Sequence, residues 1–147
     1  RFIETAARDA AIARSHGAEP VFMITWAYAD RPEMTEELAD AVIAVANANH
    51  ALAIPAGLAF AEAEKFAPDI ALTISDKRHP TPEGSYLLAA VILESVFGIN
   101  ARRVSEDCGL TPETAMILRE IAHKTAVRFF DRPLQSPSQN RVSARKA

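Results

Sequence analysis

At 147 residues the chain has room for one domain, and its 49% hydrophobic and 24% charged residues exclude general disorder. The formal charge of -3 offers no basic excess to hold phosphate backbones, so nucleic acid is excluded as an expected partner. No membrane partner is expected, because the longest apolar run, residues 86–93, falls far short of the roughly 20 residues a bilayer-spanning helix needs.

Phe2, Ile3, Ala6 and Ala10 recur at helical spacing, and Gly17 supplies a stop, which predicts an amphipathic helix over residues 2–16. Because this pattern is under way at Arg1, the chain reads as a piece whose upstream part lies elsewhere. Residues 21–26, Val-Phe-Met-Ile-Thr-Trp, follow Pro20 and form a β-rich, nearly continuous apolar run, the pattern of a strand buried on both faces of a parallel sheet. Asp30 and Pro32 break the next stretch into a loop. Thr35 is the expected N-cap of a helix whose inner face carries Leu38, Ala41, Val42, Val45 and Asn49.

Residues 51–55 predict a second strand and residues 57–66 a short helix. Residues 70–74 are apolar and brief, an edge strand or extended loop. Thr81 as N-cap and Pro82 at the first helical position open a helix that runs to Phe97 and stops at Gly98. It is apolar nearly all round between Tyr86 and Leu93, so burial is expected. A last helix starts at Thr111-Pro112 and lines its inner face with Ala115, Leu118, Ala122, Thr125 and Phe129. Residues 133–147 are polar and predict a flexible tail.

The alternation of helices and strands predicts an α/β fold, a three-layer α/β/α arrangement on a parallel sheet, incomplete at its N-terminal side. Residues 1–132 form the expected domain. An incomplete sheet would expose an apolar edge and favour aggregation.

The chemistry concentrates in Ser75-Asp76-Lys77-Arg78-His79-Pro80-Thr81-Pro82-Glu83-Gly84. An aspartate three residues before a histidine lets a turn bring the carboxylate beside the ring. The acid then fixes the imidazole tautomer and leaves Nε2 free as a base, while Pro80 and Pro82 stiffen the far side. Trp26 and Tyr28 sit at the C-terminal end of a predicted parallel strand, where open α/β sheets place ligands, and are candidate substrate-lining residues. His16, His50 and His123 lie on separate helices without paired ligand spacing, so no metal site is expected. His16 and His123 read as solvated and His50 as a dipole-assisted helix end. Glu62 and Glu64 read as a solvated helix face. Cys108, the single cysteine, allows no internal disulfide and has no nearby histidine in sequence; it weakly favours a cytoplasmic setting.

Asp76 and His79, followed by Pro80, Gly84 and the apolar helix from Tyr86, resemble the last conserved block of the SGNH (GDSL-type) hydrolases. The resemblance covers roughly residues 2–98 and makes the chain the C-terminal half of such a domain. It implies a serine hydrolase acting on small acyl or acetyl esters, possibly on carbohydrate, with His79 as general base, Asp76 as its orienting acid, a small-molecule ester as partner and no cofactor. The family's nucleophilic serine sits in a Gly-Asp-Ser motif and part of its oxyanion hole in Gly-x-Asn-Asp. Neither motif occurs here, so the serine is expected upstream. Ser75 and Ser85 read as turn or cap residues. The alternative is a non-catalytic binding module of the same fold. A nucleotide-binding reading lacks a glycine-rich phosphate loop.

Overall fold

The computed structural model describes residues 1–130; the expected tail at 133–147 lies outside the described residues. Five α-helices dominate: α1 (Phe2–Ser15), α2 (Met34–Ala48), α3 (Ala56–Phe66), α4 (Pro82–Phe97) and α5 (Pro112–Phe130), with a short 3-10 turn at Ala101–Arg103 before α5. Strands β1 (Val21–Met23) and β2 (Leu52–Ile54) pair in parallel, Val21 with Leu52, Phe22 with Ala53 and Met23 with Ile54. They make a two-stranded sheet with α2 as the crossover between them, the connection parallel pairing requires.

This corrects the expected three-layer α/β/α architecture. The described residues are mostly helical, and two strands of three residues each give helices no sheet to stack upon. The apolar run at 21–26 pairs only through its first half, with one further bond from the Ile24 amide to the Ile54 carbonyl at 2.9 Å. The run at 70–74 joins no ladder, and its one β-bridge, Thr73 to Pro80, is antiparallel. Helices therefore bury their apolar stripes mainly on one another.

The core lies among α3, α4 and α5, where Phe60, Leu87, Val91, Leu118 and Ala122 are buried. Helix α4 explains this arrangement. An apolar surface on nearly every side needs more than one partner, and α4 packs against both α3 and α5. Its start follows the sequence closely. The Thr81 hydroxyl accepts the Gly84 amide at 3.1 Å, Pro82 takes the first turn, and Gly98 ends the helix in the left-handed region at φ +66°.

Helix α2 starts differently from the expectation at Thr35. Its flanking residue is Glu33, which makes no side-chain cap. Successive backbone bonds, Arg31 amide to Tyr28 carbonyl at 2.8 Å and Met34 amide to Arg31 carbonyl at 3.1 Å, begin the winding earlier. The Thr35 amide is then already bonded to the Pro32 carbonyl at 3.1 Å.

Candidate acid–base site

The loop carrying Asp76 and His79 is closed from both ends. The Ile74 amide donates to the His79 carbonyl at 2.9 Å, and the Thr81 amide to the Leu72 carbonyl at 3.0 Å. The Thr81 hydroxyl, besides capping α4, donates to the Ala71 carbonyl at 2.7 Å. Lys77 makes the reversal in the left-handed region at φ +62°, with its amide bonded to the Ile74 carbonyl at 2.9 Å. Gly84 lets α4 come close. A Cβ there would lie 2.2 Å from the Leu72 carbonyl oxygen, so no side chain fits.

Within this turn the Asp76 carboxylate is fully engaged. Oδ1 accepts the Arg78 amide at 2.9 Å and the His79 amide at 3.0 Å. Oδ2 lies 2.6 Å from Nδ1 of the His79 ring. The ring hydrogen bond, then the His79 amide and then the Arg78 amide pull the Asp76 pKa down from 3.8 to about 2. An ionised carboxylate only accepts, so Nδ1 must carry the shared proton. Neutral His79 is thereby held in the tautomer whose Nε2 has a free lone pair. Nε2 makes no hydrogen bond among the described residues, and the ring is 77% exposed. Such an open pair draws little stability from its charges; what the bonds supply is orientation.

The segment after β1 braces the loop from outside. The Trp26 indole N–H donates to the Arg78 carbonyl at 2.8 Å, and its ring stacks on Phe60 with centroids 4.4 Å apart. The Ala29 amide donates to the Lys77 carbonyl at 3.0 Å. The Arg78 guanidinium lies 4.7 Å above the Tyr28 ring, and Lys77 Nζ is 4.0 Å from Asp30. The segment after β1 can pass close to α3 because the second residue of that helix is a glycine. A Cβ on Gly57 would meet the Thr25 carbonyl oxygen at 2.2 Å, and the Gly57 amide bonds the Ile24 carbonyl at 2.7 Å. Sequence reading named Asp76, His79, Trp26 and Tyr28, and the fold brings all four to one place. Trp26 and Tyr28 both engage Arg78.

The remaining singled-out residues fall elsewhere. Ser75 is exposed in a turn, and Ser85 lies in the first turns of α4. His16 is exposed. The His50 carbonyl, at a left-handed residue after α2, accepts from Arg14 at 3.2 Å. Glu62 is half-buried and bonded to Arg128 at 3.0 Å, which corrects its reading as part of a solvated face. His123 corrects the reading as a solvated residue. Its side chain is only 13% exposed, and Nδ1 lies 3.0 Å from Oε1 of Glu94, which is fully buried on α4. Glu94 also accepts the Ala101 amide at 2.6 Å. Its one signal in the sequence is a carboxylate directly after the apolar run of residues 86–93. No group of three or more potential metal ligands stands together among the described residues.

No protein-family model, no curated protein and no solved structure matches this chain.

Proposed function

We propose that the loop at 75–80 is the acid–base half of a Ser-His-Asp hydrolytic site for small ester substrates. The observation that carries this is the 2.6 Å contact between His79 Nδ1 and an Asp76 oxygen whose partner oxygen is fixed by two backbone amides. That arrangement sets the tautomer and points Nε2 outward, the requirement for accepting a proton from a hydroxyl.

In this reading His79 takes the proton of a serine hydroxyl as the oxygen attacks the ester carbonyl. Asp76 stabilises the imidazolium that forms. The imidazolium then returns the proton to the departing alkoxide, leaving an acyl-enzyme. Water attacks next, with His79 again as base, and releases the acid. No Gly-Asp-Ser motif occurs in the chain, so the serine is assigned to sequence preceding this block in a longer protein. The likeness of Asp76, His79, Pro80 and Gly84 to the SGNH hydrolase block supports the ester as substrate.

The test has two parts. In the longer protein, His79→Ala should abolish turnover of p-nitrophenyl acetate, and Asp76→Asn should lower kcat by up to about 10⁴-fold by favouring the wrong tautomer. Unchanged turnover in either variant defeats the assignment. In the 147-residue chain itself, long-range 1H–15N correlation at neutral pH should show His79 protonated at Nδ1. A ring protonated at Nε2 alone contradicts the relay.

A further inference from the structure

A second site stands apart from the acid–base loop, between α4, α5 and the segment that follows the 3-10 turn. A cleft of about 220 Å³ lies there. Its walls are apolar, from Ala89, Ala90, Leu93 and Val104, and Arg119 closes one side. Small residues, Ala89, Ala90 and Ala101, leave the space open. A dry cavity of about 150 Å³ with similar walls holds a benzene molecule in another protein, so this one accommodates a ring with a short substituent.

Arg119 gives the cleft a polar side. Its side chain is only 12% exposed. Nη1 donates to the Tyr86 hydroxyl and to Asp107 Oδ1, both at 3.0 Å. Tyr86 in turn donates to the Glu106 carbonyl at 2.8 Å, which fixes the guanidinium on its α4 side. A guanidinium has five N–H groups. Those on Nε and Nη2 make no hydrogen bond among the described residues, so they are free to meet an acceptor. The acceptor need not be an anion. Arg119 is already paired with Asp107, so its charge is met and a further negative charge gains little.

We propose that this cleft binds a small neutral molecule with an apolar, ring-sized body and one oxygen acceptor, the body against Ala89, Ala90 and Leu93 and the oxygen on Arg119. The site does not depend on the acid–base reading and fits the general form of a small-ligand pocket, apolar walls with a few convergent polar groups.

Cys108 lines the same cleft and is exposed, so its thiol reports occupancy. The full chain is alkylated with iodoacetamide, a neutral reagent, in the presence of acetophenone, benzoate or benzylamine, with the modification read by mass spectrometry. Acetophenone should slow alkylation with half-saturation near or below about 1 mM. Benzoate should need at least about tenfold more. Ala89→Leu fills the cleft from an exposed helix position at almost no helix-propensity cost, and should weaken acetophenone protection about tenfold or more. Saturation-transfer difference NMR, which does not involve the thiol, should show acetophenone ring protons receiving magnetisation in the wild type and losing it in Ala89→Leu. Absence of both signals up to the solubility of acetophenone overturns the site. So does equal protection in Ala89→Leu, and benzoate or benzylamine binding as well as acetophenone overturns the neutral-acceptor chemistry.

Discussion

Replacing His123 with leucine should destabilise the protein far more than a position near the surface of α5 suggests. Glu94 is fully buried, and its Oε2 has no partner among the described residues. Its carboxyl group is held by two donors, the His123 ring at 3.0 Å and the Ala101 amide at 2.6 Å. His123→Leu leaves the amide alone to satisfy a carboxyl group sealed from water. Removing one partner of such a buried pair costs about 3–5 kcal/mol. The 13% exposure of His123 admits some water and argues for the lower end. Against a total stability of about 5–15 kcal/mol this is a large share. At about 3–5 °C per kcal/mol for a domain of this size, Tm should fall by about 9–15 °C. The double variant Glu94→Leu/His123→Leu removes the buried carboxyl as well. It leaves only the Ala101 amide unpaired, at about 1–3 kcal/mol, so it should be more stable than the single variant. Urea titrations followed by far-UV circular dichroism give the comparison. A loss under about 1 kcal/mol in the single variant, or a double variant weaker than the single, refutes the reasoning.

Gly84→Ala should destabilise by about 1–3 kcal/mol through the clash with the Leu72 carbonyl, although alanine ordinarily gains about 1 kcal/mol over glycine inside a helix; a thermal melt at or above the wild-type Tm contradicts the close approach. Asp76 has its folded pKa lowered to about 2 from 3.8, so whatever it contributes is complete above pH 3.8 and is lost as pH falls through about 2. Its 13Cγ shift should titrate near 2, and a midpoint near 3.8 would mean that the His79 contact is not formed in solution. Trp26→Phe keeps the stack on Phe60 but removes the bond to the Arg78 carbonyl, at about 0.5–1.5 kcal/mol. Amide exchange of Lys77 should accelerate in that variant, and unchanged protection would show that the loop does not lean on the indole.

Local signals were legible where one or two residues decide a conformation. Thr81, Pro82 and Gly98 place both ends of α4, and Gly17 stops α1 at φ +77°. The Asp76–His79 contact was legible for the same reason, since a three-residue spacing is spanned by one turn. What sequence misjudged depends on partners distant in the chain. An apolar run such as 21–26 can serve a wide sheet or a short one, and only the packing of α3, α4 and α5 decides which. The segment 26–30 was readable as a ligand-side loop, but its grip on Lys77 and Arg78 spans about fifty residues. Glu94 and His123 each look ordinary alone. Their pairing exists only once α4 and α5 are side by side.

Trp26 is the single tryptophan of the chain, and its indole touches the acid–base loop directly. Intrinsic emission from this protein therefore comes with its location already assigned. A change in the hydrogen bond to Arg78, or in the stack on Phe60, alters the colour and yield of that emission without any introduced label. Stopped-flow fluorescence can thus follow the loop around His79 in real time, while a bound molecule arrives or the pH is stepped.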